Sequence, residues 1–155
     1  MKTKITLLFG GRSTEHSVSC KSAKTIIDNM DREKYDLTLI GITEEGEWLL
    51  FCGDPALIPT GEWKNPPHCQ EVLISLGGDD RGLFAMENNA RKRINTDVFF
   101  PVLHGKYGED GTIQGLFEML GIPYVGCGVS ASANAMDKSL TKLLVDSIGI
   151  KQARY

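Results

Sequence analysis

Apolar residues recur along the chain with two periods. Ile5-Thr6-Leu7-Leu8-Phe9 is a short continuous run stopped by Gly10-Gly11, the signature of a buried strand. Ala23, Ile26, Ile27 and Met30 then recur at i, i+3, i+4 and i+7, which predicts an amphipathic helix. Residues 36–42 read as a second strand. Strand, glycine turn, helix, strand is the opening of a parallel α/β sheet.

The middle of the chain breaks this rhythm. Glu45-Gly46 predicts a turn before Trp48-Leu49-Leu50-Phe51, and residues 53–67 carry enough Gly and Pro to read as a loop. Val72-Leu73-Ile74 and Leu83-Phe84-Ala85-Met86, separated by Gly77-Gly78-Asp79-Asp80, are short strand candidates. Residues 44–95 are therefore expected to form a small antiparallel insertion.

The α/β rhythm returns with Val98-Phe99-Phe100-Pro101-Val102-Leu103, an apolar run suited to a buried parallel strand. Pro101 gives no ladder hydrogen bond and belongs near the strand end. Ile113, Leu116, Phe117 and Leu120 predict a helix, with Asp110 capping its start and Gly121-Ile122-Pro123 closing it. Residues 123–126 suggest a short strand and 131–135 a short helix. Met136, Leu140, Leu143 and Leu144 form a last apolar stripe, ended by Gly149. The predicted architecture is an α/β, Rossmann-like parallel sheet flanked by helices, with the insertion on one side.

Composition narrows the function classes. Of 155 residues, 41% are hydrophobic and 24% charged, an ordinary globular mix. The net charge of −3 argues against nucleic acid or an anionic membrane surface as main partner. The basic start, Met1 to Lys4, precedes an apolar run too short for an export signal, so a cytoplasmic protein is expected. Cys20, Cys52, Cys69 and Cys127 form no C-x-x-C pair and read as reduced thiols. A metal at Cys52, His68 and Cys69 lacks a fourth ligand of suitable spacing.

Three segments follow a strand and precede a helix, where open α/β sheets bind ligands. In Gly10-Gly11-Arg12-Ser13-Thr14-Glu15-His16, Ser13 and Glu15 either start a helix or present Glu15 to a cationic group. The segment is not G-x-G-x-x-G, so a dinucleotide site is poorly supported. His104-Gly105-Lys106-Tyr107-Gly108-Glu109-Asp110-Gly111 lets backbone approach a ligand closely, with His104 structural or in the cleft. Lys138 of Met136-Asp137-Lys138 opposes a helix dipole, which suits either solvent or a phosphate.

Together these segments resemble the D-alanine–D-alanine ligase family. The first motif continues through Ser17-Val18-Ser19. The second continues through Gln114-Gly115, Glu118, Gly121-Ile122-Pro123 and Gly126. Met136-Asp137-Lys138 follows in the same order. The long insertion resembles the subgroup that includes vancomycin-resistance ligases making D-Ala–D-lactate or D-Ala–D-serine. The resemblance implies an ATP-grasp enzyme of cell-wall precursor synthesis that works with ATP and Mg2+. In the family, ATP phosphorylates the carboxylate of a first D-alanine, and the amine of a second displaces the phosphate.

By the same resemblance Glu15 holds the first D-alanine's ammonium, His104 lies at that subsite, and Lys138 contacts ATP phosphate. It also implies residues 1–129 as the N-terminal pre-ATP-grasp domain, residues 130–155 as the start of the central domain, and a homodimer. The family's phosphate lid, adenine pocket and magnesium ligands lie beyond these motifs, so this chain alone is expected to be inactive. A non-catalytic binding module is the alternative from another class.

Overall fold

The computed structural model describes residues 1–87 and 90–153. Seven strands and four helices follow in the order β1 (Thr3–Gly10), α1 (His16–Asn29), β2 (Tyr35–Ile42), β3 (Trp48–Phe51), β4 (Cys69–Ser75), β5 (Gly82–Glu87), β6 (Ala90–Ile94), β7 (Val98–Pro101), α2 (Thr112–Leu120), α3 (Val129–Met136) and α4 (Lys138–Ser147). The strands form one sheet in the order β6-β5-β4-β3-β2-β1-β7. Both β2 and β7 run parallel to β1, while β3 to β6 are antiparallel to their neighbours.

The expected insertion is thus antiparallel, but it does not stand apart. β3 pairs with β2 through Leu39↔Phe51 to Ile42↔Trp48 and extends the parallel sheet sideways. Its outermost strand, β6, has the sequence ARKRI and showed no strand pattern. Its charged residues are what an exposed sheet edge carries.

Side chains alternate across β1, so Leu7 and Phe9 face one side and Leu8 the other. Helix α1 covers the first face with Cys20, Ala23 and Ile27, and Ile26 lies at the margin. Helix α2 covers the second with Ile113, Phe117 and Leu120 against Leu8, Ile40 and Phe99. Phe117 stacks on Phe99 with ring centroids 4.4 Å apart. Truncating such a ring to alanine costs about 3–5 kcal/mol. Gly121 ends α2 in the left-handed conformation, its N–H reaching the carbonyls of Glu118 and Phe117, as its position after the apolar stripe suggested.

The Gly- and Pro-rich loop is part of the core. Ile58 and Trp63 are both fully buried, and Trp63 packs edge-on to Phe9 with centroids 4.8 Å apart. The indole packs against Gly41 of β2. A Cβ added at Gly41 would stand 2.1 Å from its ring.

Pro101 is the last residue of β7, where its missing N–H leaves no gap in the ladder. Residues 123–126 make only one bridge, Tyr124 to Phe99, rather than a strand. The final stripe is split. Met136 belongs to α3, and Asp137 starts α4 by accepting hydrogen bonds from the Ser139 and Leu140 N–H groups. Leu140, Leu143 and Leu144 are about half exposed.

Candidate functional site

The order β2-β1-β7 places a topological switch between β1 and β7. The chain leaves β1 towards α1 on one face and leaves β7 towards α2 on the other. The crevice beyond these two strand ends is where an open α/β sheet binds ligands. Two motif loops meet there, residues 10–15 and 102–111.

The first loop turns at Gly10 and Gly11, with φ of +85° and +99°. A Cβ at Gly10 would lie 2.3 Å from the Ile42 carbonyl oxygen, so any side chain forces the strands apart. The His16 ring holds the Gly11 carbonyl through Nδ1 at 2.9 Å, and Nε2 lies 3.7 Å from the Glu44 carboxylate.

The second loop is braced by its own acids. Glu109 Oε2 accepts from the Gly105 N–H at 2.7 Å. Asp110 accepts from the N–H groups of Tyr107 at 2.8 Å and Thr112 at 3.0 Å. Asp110 therefore caps the first turn of α2, as expected, from one residue before the cap position. Burial pushes its carboxyl up, but the bonds from Tyr107 and Thr112 outweigh that and hold it below the usual aspartate range. Gln114 is buried and donates to the Gly108 carbonyl at 3.0 Å.

Side chains from α1 and its approach tie the loops together. The Ser13 hydroxyl accepts from the Glu15 N–H at 3.1 Å and donates to the His104 carbonyl at 2.7 Å. Ser13 thus closes the turn before α1 and does not cap the helix, which begins after Glu15 without a side-chain cap. Buried Ser19 accepts from the Gly10 N–H at 2.7 Å and donates to the Val102 carbonyl. Ser22 Oγ lies 3.2 Å from His104 Nε2.

Two of the three expected site residues come together. The Glu15 carboxylate lies over Gly105, so close that a Cβ there would stand 2.7 Å from Oε2. Gly105 has φ +70°, and the residue before it is His104. Lys138 is exposed at the first residue of α4. Among the described residues, no hydrogen bond, ion pair or shared cavity joins it to Glu15 or His104.

A cleft of about 300 Å³ opens beside the loops, lined by Gly10, Arg12, Trp48, His104, Tyr107 and Ile113 among others. Tyr107 sits at φ +67°, with the Arg12 guanidinium 5.7 Å and the Lys106 ammonium 4.9 Å from its ring centre. A second cleft of about 370 Å³, lined by Glu109, Gln114, Cys127 and Ser132, separates the second loop from α3. Sequence reasoning missed Ser19 and Ser22. The available signal was two serines three residues apart beside the apolar stripe of α1.

The structure defines an open α/β domain with a crevice at its switch point, lined by His104, Arg12, Tyr107 and glycine-rich backbone. The family described as D-ala D-ala ligase N-terminus matches residues 4–127. This chain belongs to the D-alanine–D-alanine ligase family. It is 48% identical over 154 residues to the D-alanine–D-alanine ligase of Caldicellulosiruptor bescii, covering 99% of this chain and 42% of that protein. It is 44% identical over 161 residues to that of Ruminiclostridium cellulolyticum, covering 99% and 43%. The VanG D-Ala:D-Ser ligase from Enterococcus faecalis superposes with a TM-score of 0.90 at 39% identity, over 99% of this chain and 44% of that one. The D-alanine–D-alanine ligase from Coxiella burnetii superposes at 0.87 with 35% identity, over 99% and 43%. The chain thus spans less than half the length of these relatives.

Proposed function

We propose that this chain supplies the first D-alanine subsite of an ATP-dependent D-alanine–D-alanine ligase of peptidoglycan precursor synthesis, working in the cytoplasm. The observation that carries this reading is the Glu15 carboxylate lying against Gly105, beside His104. A carboxylate suits an ammonium, and Gly105, without a side chain, lets the substrate come close. Glu15 holds the amino group and His104 offers an imidazole nitrogen to the same substrate. Residues 1–129 form the N-terminal domain, and 130–155 begin the ATP-binding domain.

ATP, when bound, supplies the phosphoryl group that activates the first carboxylate. Lys138 fits one phosphate contact, because its ammonium has no partner among the described residues. At the start of α4 the N–H groups of Ser139 and Leu140 already donate to Asp137, so they add nothing to that contact. The described residues hold no group of three His, Cys, Asp or Glu that could bind a metal ion. The half-exposed Leu140, Leu143 and Leu144 leave a face for the rest of the polypeptide or for a second copy in a homodimer.

The test is ADP release from Mg-ATP with D-alanine, using a polypeptide that extends these residues to the relatives' length. D-Ala-dependent turnover, lost in Glu15→Gln and His104→Ala, is the expected result. Turnover only with D-serine or D-lactate as second substrate selects the product seen in the VanG name or its lactate counterpart. No turnover with any of the three overturns the ligase reading in favour of a binding module.

A further inference from the structure

We propose that Ser22 is a positioning residue that holds His104 in the tautomer protonated at Nδ1, so that Nδ1–H is the donor offered to the first substrate. Its functional half rests on placing His104 at that subsite. The tautomer itself rests on geometry alone.

His104 is held at two points. Its carbonyl accepts from the Ser13 hydroxyl at 2.7 Å, and its Nε2 lies 3.2 Å from Ser22 Oγ. Nδ1 has no partner among the described residues. Which ring nitrogen carries the proton is decided by the bond the other makes. A bond between Ser22 and Nε2 can run either way, and the rest of α1 shows which.

A serine or threonine inside a helix commonly sends its hydroxyl proton back to a carbonyl one turn earlier. Thr25 does so in this helix, donating to the Lys21 carbonyl at 3.2 Å. Ser22 does not, and its hydroxyl has no other protein acceptor among the described residues. If Nε2–H were the donor, the Ser22 proton would be left without a protein acceptor in a half-buried position. With Oγ–H donating to the Nε2 lone pair, both groups are satisfied and the ring proton sits on Nδ1.

The position of Ser22 is itself fixed. Ser19, one turn earlier on the same helix, bridges the Gly10 N–H and the Val102 carbonyl. It locks α1 to the ends of β1 and β7, so the helix cannot slide away from His104. The free imidazole in water prefers its proton on Nε2, which makes the proposal distinguishable from an unconstrained ring.

The experiment is carbon and nitrogen NMR of ring-labelled histidine in the 155-residue chain, in alkaline buffer. The His104 signals are assigned among three histidines by their loss in His104→Gln. The expected wild-type ring is mainly the Nδ1–H form. Ser22→Ala should return it to mainly Nε2–H, and Ser22→Thr, which keeps the hydroxyl, should not. A wild-type ring mainly in the Nε2–H form overturns the proposal without any variant. So does a Ser22→Ala protein with an intact amide spectrum and unchanged ring signals.

The functional half is read in the extended polypeptide. Ser22→Ala should raise the KM for the first D-alanine roughly five- to tenfold, the size of one neutral hydrogen bond, with kcat nearly unchanged. Ser22→Thr should restore it. A fall confined to kcat, or no change in either, overturns the positioning role. Complete absence of ligase activity in the wild type instead counts against the functional reading, and the tautomer result stands apart from it.

Discussion

Replacing Ser19 with alanine removes one oxygen atom and breaks two buried bonds. The hydroxyl is fully buried, accepts from the Gly10 N–H at 2.7 Å and donates to the Val102 carbonyl. Each buried group left without a partner costs about 1–3 kcal/mol, the N–H more reliably than a carbonyl with a second lone pair. The sum is about 2–4 kcal/mol. Alanine returns about 0.5 kcal/mol through better helix propensity. The net loss should be about 1.5–3.5 kcal/mol, a large share of the stability of a domain this size.

Urea unfolding followed by far-UV circular dichroism measures it as a lower midpoint at constant slope. Ser17→Ala, at an exposed position of the same helix with no side-chain hydrogen bond, is the control and should stay within about 0.5 kcal/mol of wild type. A loss below about 0.5 kcal/mol in Ser19→Ala would refute the claim that this hydroxyl clamps β1 to β7.

Two further outcomes follow from ionisable groups. The Asp110 carboxyl is held below its ordinary range in the folded chain, so its bonds stabilise the fold above the unfolded aspartate value and are lost as the pH falls through the folded one. Asp110→Asn should therefore be less stable than wild type at neutral pH, and the gap should close in acid. A gap that stays constant down to pH about 2 would contradict this assignment. Burial first, and the Glu44 carboxylate second, push the Cys20 thiol up to about 11. Native protein should react with a thiol reagent at exposed Cys52 and Cys127, while Cys20 labels only on unfolding. Equal rates at Cys20 and Cys52 would show that α1 does not shield this position.

How much was legible in advance differs from element to element. Helix α2 was readable because its stripe, its capping aspartate and its closing glycine all agreed. Trp63 was not. It lies in a loop of turn residues, and only the bare backbone of Gly41, distant in sequence, gives its indole a seat. Strand β6 was hidden for the opposite reason, since an edge strand needs hydrogen bonds to one neighbour and no apolar face of its own. The last apolar stripe located α4, but its periodicity carries across Met136 and Leu140, and it is the Asp137 side chain that restarts the helix between them.

By itself the sequence determined the strand–helix alternation, the glycine turns and the three motifs. These depend on residues close in the chain and on local backbone preference. Only the tertiary structure decided that β3 to β6 join the parallel sheet, that Glu15 lies over Gly105, and that Ser13, Ser19 and Ser22 grip the loop after β7. The contacts of Ser13, Ser19 and Ser22 span 82 to 91 residues of chain. They exist because sheet hydrogen bonding and burial bring the ends of β1 and β7 side by side, an arrangement no local pattern encodes.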